Sequence, residues 1–208
     1  MYKNIIFDAD GTLLDTLPGI YEGFNLVMKK LNRPALSHDA IKPFIGPSLV
    51  ETFTTRLSFS PEETTAAVGY YRDFYWERGY RMCEFFPGIL ELLKKMKADG
   101  KILCIATNKP QPFIDLILKQ WNVADYFTVV AGAELTESST DKTSLVRRAI
   151  CDKSAVMVGD RYVDIAAAKS AGIDSIGVLW GTAEDGEFVK YPPTHIAKDV
   201  KELYSLVK

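Results

Sequence analysis

Cysteine and histidine are scarce in this 208-residue chain, net charge is close to zero, and long apolar runs are missing. The three cysteines, Cys83, Cys104 and Cys151, are odd in number and widely spaced, which excludes a disulfide framework and a zinc ribbon. They are expected to be buried free thiols in a reducing cytoplasm. The two histidines, His38 and His195, have no glutamate or cysteine at ligand spacing and read as surface or packing residues. A net charge of −2 supplies no basic field for nucleic acid or for an anionic membrane surface. No run approaches the ~20 apolar residues of a membrane span, and the N-terminus lacks the basic-then-apolar layout of a signal peptide. There is no Gly-x4-Gly-Lys-Ser/Thr loop and no Gly-x-Ser-x-Gly elbow, so a P-loop nucleotidase and a serine hydrolase of that type are excluded. Repeats and low-complexity tracts are absent; the polar residues 136–140 are the stretch expected to be most flexible.

What remains is an ordinary globular composition, 47% hydrophobic and 25% charged, long enough for one sizeable core or a core plus a small domain. Its most informative segment is Ile5-Ile6-Phe7-Asp8-Ala9-Asp10-Gly11-Thr12-Leu13-Leu14-Asp15. A short apolar run ends in two carboxylates two residues apart. Strand periodicity puts i and i+2 on one side, so Asp8 and Asp10 leave the strand end together. Carboxylates that close repel unless a cation or a shared proton offsets the charge. Taken alone, Asp-Gly after a strand is also an ordinary turn.

Five apolar runs read as strands, at residues 4–8, 101–107, 127–131, 155–159 and 175–179. Most are apolar throughout, as parallel strands covered on both faces require. Helical stripes alternate with them: Ile89, Leu92, Leu93, Met96; Phe113, Ile114, Ile117, Leu118, Trp121; Leu145, Val146, Ala149, Ile150; and a short Ala-rich helix from Asp164 stopped by Gly172. The alternation predicts an α/β fold, a doubly wound parallel sheet of Rossmann-like type. Residues 16–81 break it. They hold no convincing strand, but Leu17, Ile20, Tyr21, Phe24, Val27, Met28 and Leu31 recur at helical spacing, and Ser60-Pro61-Glu62-Glu63 reads as a capping box ahead of a second stripe. The predicted division is a core of residues 1–15 and 82–208 with an all-helical insertion, 16–81, at the C-terminal edge of the first strand, where ligands bind in open α/β sheets.

Three further signals follow in order. The strand at 101–107 ends in Thr107-Asn108, followed by Lys109 and a helix starting near Pro110, whose free N–H groups would face a phosphate. By itself this is a good strand-to-helix turn, and Lys109 is a loop residue with no role assigned. Lys142 opens the next helix, where a cation is mildly unfavourable to the dipole, which points to an anion nearby or to a solvated surface lysine. Finally Val158-Gly159-Asp160 ends a strand, with Asp164 in the first turn of the helix behind it.

Together, Asp8-x-Asp10-Gly11-Thr12-Leu13, Thr107-Asn108, Lys142 and Gly159-Asp160-x3-Asp164 resemble the signatures of the haloacid dehalogenase-like phosphohydrolases, and the chain is most similar to their phosphoglycolate phosphatase-like branch. Many relatives in that branch have proline after the lysine; Thr143 stands here. The resemblance implies a phosphoric monoester hydrolase in which Asp8 is the nucleophile and Asp10 the general acid and base. Gly11, Thr107, Asn108 and Lys142 would hold the phosphoryl group, Lys142 also steadying Asp8. The insertion would be a mobile cap. The metal would be Mg²⁺, which favours octahedral oxygen ligation by a few carboxylates plus phosphate. Asp8 and Asp160 would give side-chain oxygens, Asp10 its carbonyl, and Asp164 would act directly or through water.

The substrate implied is a small phosphorylated metabolite. Lys42 and Gly46 belong to a Pro/Gly-punctuated break resembling a loop that dips into the site, and Lys42 or Arg56 would meet a second anionic group. Tyr70, Tyr71, Phe74, Tyr75 and Trp76 would wall a base or sugar, although their helical spacing fits packing inside the insertion better. Relatives acting on nucleoside 5′-monophosphates make a 5′-nucleotidase the alternative, ahead of an inorganic pyrophosphatase. A phosphosugar mutase is disfavoured because Ile20 stands where such relatives carry histidine, and a non-catalytic phosphate-binding protein because the acids are all present. A cytoplasmic monomer or homodimer is expected.

Overall fold

A computed structural model describes residues 1–135 and 141–208, so the stretch expected to be most flexible, 136–140, lies outside the described residues. The first strand, β1 (Asn4–Phe7), is buried along its whole length and sits inside a six-stranded parallel sheet. The chain next forms β2 (Leu14–Asp15) and the helices α1 (Leu17–Lys30), α2 (His38–Ile41), α3 (Leu49–Glu51, continued by a π-helical turn to Arg56) and α4 (Pro61–Glu77). It returns through β3 (Glu84–Phe85) into α5 (Ile89–Ala98), β4 (Ile102–Pro110), α6 (Gln111–Gln120) and β5 (Phe127–Ala133). After α7 (Lys142–Ala149) come β6 (Ala155–Gly159), α8 (Tyr162–Ala171), β7 (Asp174–Val178), α9 (Glu187–Lys190), β8 (His195–Ala197) and α10 (Val200–Val207).

The sheet order β5-β4-β1-β6-β7-β8, parallel throughout, is the doubly wound arrangement expected from the alternating pattern. Period-two alternation sorts the strand residues between two faces. Ile5, Phe7, Leu103, Ile105, Val156 and Val158 share a core with Leu92 and Leu93 of α5, Ile114 and Ile117 of α6 and Leu203 of α10. Ile6, Cys104, Ala106, Ala131 and Met157 pack on the other side against Leu145, Val146 and Ala149 of α7 and Ala167 and Ala168 of α8. The second face is built largely from small side chains. The chain winds outward from β1 through β4 to β5, then crosses back to β6 on the other side of β1. The C-terminal ends of β1 and β6 therefore flank the switch point of the sheet, the crevice where open α/β folds bind ligands.

Three elements go beyond the sequence pattern. β8 is a three-residue edge strand, too short to leave a periodic signal. β4 runs on to Pro110 because Pro110 pairs with Ala133 past an irregularity after Thr107, so Lys109 belongs to the strand extension and not to a loop. β2 and β3 pair antiparallel, Leu14 with Phe85 and Asp15 with Glu84, and so bring together the two ends of the helical segment between them. That segment has its own buried ring of Phe24, Phe53, Phe59 and Tyr71, continuous with the core beneath the sheet. Its helices start as the sequence dictates: Ser60 accepts from Glu63 N–H while the Glu63 carboxylate accepts from Ser60 N–H, a reciprocal cap with Pro61 in the first turn. α1 and α4 approach closely enough that a Cβ on Gly23 would lie 2.7 Å from the Tyr71 ring. Cys83 and Cys104 are buried free thiols, whereas Cys151 is exposed, its Sγ 3.8 Å from that of Cys104, because it follows α7 at the rim of the small-residue face. His38 is exposed and stacks on Tyr21, and His195 packs edge-on to Tyr2. Among the described residues no helix is long and apolar enough to cross a membrane.

Leu93 is fully buried at the centre of the large-residue face. Leu93→Ala should lower unfolding free energy by about 2–5 kcal/mol, read from the urea midpoint at unchanged slope.

Candidate active site

The strand ends do the positioning. Phe7 lies in register with Ile105 of β4 and Val158 of β6, and Asp8 N–H donates to Val158 O at 2.9 Å, which carries the ladder one residue past β1 and fixes the Asp8 backbone. Gly11 adopts φ +79 to turn the chain, and a Cβ there would fall 2.2 Å from Asp160 Oδ2. Only glycine suits both demands. Gly11 thus packs against Asp160 and is not on the cavity wall.

Asp8, Asp160 and Asp164 are all buried, and each offers a carboxylate oxygen within 4.8 Å of the others. The side chain of Lys142, the first residue of α7, turns into this cluster, with Nζ 2.6 Å from Asp8 Oδ1 and 3.0 Å from Asp164 Oδ1. The second contact is an ion pair without hydrogen-bond alignment, and Asp164 Oδ1 has no hydrogen-bonded partner among the described residues. Asp164 Oδ2 accepts from Arg161 N–H at 3.1 Å. Asp160 is held at both oxygens: Oδ1 accepts from the Thr12 hydroxyl, and Oδ2 from the N–H and hydroxyl of Thr182. Three buried carboxylates therefore share one ammonium's neighbourhood, with Asp8 and Asp164 in contact with it and Asp160 held on hydroxyl and N–H groups. Burial, reinforced by the Asp8 charge and opposed by the Thr182 and Thr12 bonds, pushes the Asp160 carboxyl up to about 6. Burial also raises Asp164; Lys142 works against this, and Asp8 and Asp160 add to it. For Lys142, burial acts to lower the ammonium's pKa, but Asp164 and Asp8 more than offset it and the net shift is upward. An all-oxygen donor set with unbalanced negative charge and an unaligned buried oxygen suits a hard divalent cation.

Asp10 stands apart from that cluster. Its Oδ2 accepts from Lys109 Nζ at 2.9 Å, and Lys109 also donates to the Tyr75 hydroxyl of α4 at 2.9 Å. Thr107 is 1% exposed at the turn of β4, its Oγ1 accepting from Lys109 N–H, and the buried Asn108 Oδ1 has no partner among the described residues. Asp8, Asp10, Thr107, Asn108, Lys109, Lys142 and Asp164 line one cavity of about 310 Å³, while Asp160 lies beneath it at 0% exposure. The far wall comes from the helical segment: Ile20, Phe24, Phe44, Tyr71 and Tyr75, with Gly46, Ser48 and Arg56 at its edge. Three polar bridges tie that wall to the sheet. Besides Tyr75 to Lys109, Arg161 Nη1 donates to Ile45 O at 2.9 Å and Arg72 Nη2 to Leu135 O at 2.8 Å.

The residues marked by the sequence thus gather, with exceptions. Lys42 is exposed, pairs with Asp39 at 2.9 Å and does not line the cavity, because α2 turns it outward. Of the aromatic run, Tyr71 and Tyr75 face the cavity; Phe74 is buried near Gly79, Tyr70 lies under Lys30, and Trp76 is 43% exposed against Phe113. Lys109, Arg161, Thr182 and Glu187 carried no sequence signal that set them apart. Arg161 is buried on Glu187, donating to both its carboxylate oxygens.

With this geometry established, relatives become informative. Residues 5–178 match the family model described as haloacid dehalogenase-like hydrolase. The chain is 30% identical over 212 residues to a 5′-nucleotidase of Pseudomonas aeruginosa, covering 100% of this chain and 96% of the relative. It is 29% identical over 218 residues to a phosphoglycolate phosphatase of Vibrio vulnificus, covering 99% and 96%. The crystal structure of a predicted phosphatase from Clostridium acetobutylicum superposes with a TM-score of 0.91 at 31% identity, over 100% of this chain and 98% of that one. The family match, with phosphatases among the relatives that span the whole chain, defines the class as a phosphoric monoester hydrolase. The chain belongs to the haloacid dehalogenase-like hydrolase family.

The raised carboxyls have a measurable consequence. A carboxyl whose folded pKa lies above its unfolded value keeps extra protons in the native state, so its contribution to stability is full below about 3.8 and is lost as pH rises through the folded value, about 6 for Asp160. A divalent cation competes with those protons. Mg²⁺ at millimolar concentration should therefore raise the Tm over chelated protein more at about pH 7.5 than at about pH 5, by scanning calorimetry. Equal gains at both pH values would contradict cation binding at this cluster.

Proposed function

We propose that the protein is a Mg²⁺-dependent phosphatase of phosphoglycolate phosphatase-like type that hydrolyses a small phosphomonoester through an aspartyl-phosphate on Asp8. The observation that carries this is the juxtaposition at the end of β1: Asp8 on Lys142, and Asp10 two residues on, within one cavity whose floor holds two more buried carboxylates. Asp8, Asp160 and Asp164, with the Asp10 carbonyl, would hold the Mg²⁺ ion, which when bound neutralises charge on the phosphoryl oxygens. In the first transfer an Asp8 oxygen attacks phosphorus as the ester oxygen leaves, and Asp10 gives that oxygen its proton. In the second, Asp10 takes a proton from the water that attacks the aspartyl-phosphate. Lys142 faces the developing charge, and Thr107, Asn108 and backbone N–H groups position the phosphoryl group.

Residues 16–81 are, in this reading, a cap that excludes bulk water during the first transfer. The β2–β3 ribbon at their base supports it, as do the three polar bridges at their rim. Two unpaired buried thiols and an absence of membrane-spanning helices among the described residues are compatible with a cytoplasmic enzyme, monomeric or homodimeric. A second substrate class is favoured by a specific feature. The wall of Phe24, Phe44, Tyr71 and Tyr75 would stack on a base or sugar, and the Pseudomonas aeruginosa relative is a 5′-nucleotidase.

Phosphate release from phosphoglycolate, nucleoside monophosphates, sugar phosphates and pyrophosphate should depend on Mg²⁺ and single out one class. Asp8→Asn should lower it by at least about a thousandfold. The Tm of that variant in chelator should not fall, since one of three crowded charges is gone. Appreciable turnover by Asp8→Asn removes Asp8 as nucleophile.

A further inference from the structure

Two buried lysines serve the Asp8-x-Asp10 pair, and they divide it. Lys142 takes Asp8, together with Asp164; Lys109 takes Asp10, together with Tyr75. The Lys109 side chain is 4% exposed, and Asp10 Oδ2 and the Tyr75 hydroxyl are its Nζ contacts among the described residues. A buried ammonium is costly unless paired, so this geometry is strongly held. Asp10 Oδ2 is thereby occupied. Asp10 Oδ1 is also buried, yet has no hydrogen-bond partner among the described residues, and Asp10 lines the cavity.

We propose that Lys109 and Tyr75 are positioning residues that fix the Asp10 carboxyl through Oδ2 and leave Oδ1 as the oxygen that exchanges the proton. The proposal rests on the phosphatase reading above. In the first transfer the Oδ1–H bond breaks as the phosphorus–ester oxygen bond breaks, and the proton goes to the departing alkoxide. In the second, a water O–H bond breaks toward Oδ1 as the water oxygen bonds to phosphorus and the bond to Asp8 opens. Tyr75 belongs to α4, on the far wall of the cavity, whereas Lys109 and Asp10 belong to the sheet edge. Asp10 is therefore fully oriented only while α4 sits over the strand ends. Proton transfer is tied to a covered site by a contact made of one hydroxyl.

The test separates proton donation from general integrity by the leaving group. A p-nitrophenolate departs with little need of a proton, whereas an alkoxide needs one. We compare kcat/KM for p-nitrophenyl phosphate with kcat/KM for the alkyl ester that the wild type turns over fastest in the panel above, in Lys109→Met and Tyr75→Phe, because kcat/KM isolates the first transfer from the hydrolysis step common to both esters. The alkyl-to-aryl ratio of kcat/KM should fall at least about tenfold in Lys109→Met and at least about threefold in Tyr75→Phe, in line with the share of rate that a positioned acid supplies. Lys109→Met strands a half-buried carboxylate and so risks misfolding; Tyr75→Phe removes a single oxygen and keeps the test open. A ratio that stays at the wild-type value in both variants, whatever the absolute loss, overturns the positioning role and leaves the phosphatase reading intact. A wild type that releases phosphate from neither kind of ester, like Asp8→Asn, overturns the reading and the proposal with it.

Discussion

Crowded negative charge is the constraint around which this structure is organised. Asp8, Asp160 and Asp164 are buried within reach of one another, and Lys142 alone cannot balance them. Carboxylates in such an arrangement would separate or protonate unless the scaffold prevented it. Parallel pairing holds Asp8 and Asp160 at the ends of neighbouring strands, and the α8 first turn holds Asp164 on the Arg161 N–H. Thr12 and Thr182 clamp Asp160 from two directions. The fold holds the three carboxylates in place by itself, which in the proposed reading preorganises them for a cation.

The helical segment answers a different need. Its apolar wall and the three bridges to the sheet edge roof part of an open crevice and make a partly covered cavity. Two of the bridges end on residues beside the carboxylates. Tyr75 reaches the lysine on Asp10, and Ile45 is held by the arginine that follows Asp160. Coverage and site geometry are thus two readings of the same contacts.

Much of this was legible in the sequence because strand ends are. Asp8, Asp160 and Thr107 each end or follow an apolar run whose length fixes where the sheet stops, so their place at the strand-end edge could be read, whereas period two grouped Asp10 with Asp8 and the structure sets it on Lys109 instead. The capping box at Ser60 is equally local. What stayed hidden is long-range. Lys109 sits in what reads as a turn, and only the pairing of Pro110 with Ala133 draws it into the strand and onto Asp10, ninety-nine residues away. Arg161, Thr182 and Glu187 gain their meaning from partners brought close by the fold. Lys42 illustrates the converse: a plausible charge in a plausible loop, turned outward by a four-residue helix.

The unequal faces of the sheet bear on how this protein can change over generations. α7 and α8, which carry Lys142 and Asp164, meet the sheet at Ala106 and Ala131 and, for α8, through its own Ala167 and Ala168, whereas α5, α6 and α10 rest on larger isoleucines, leucines and valines. A bulky side chain can be exchanged for another of similar volume, but a closely packed alanine methyl has few substitutes of its own size. Added volume on the alanine side would act as a shim, lifting the lysine and the aspartate away from Asp8 before it endangered the core. Sequence drift is therefore expected to be freer under one face than under the other, with alteration of the chemistry and loss of the fold arising on opposite sides of the same sheet.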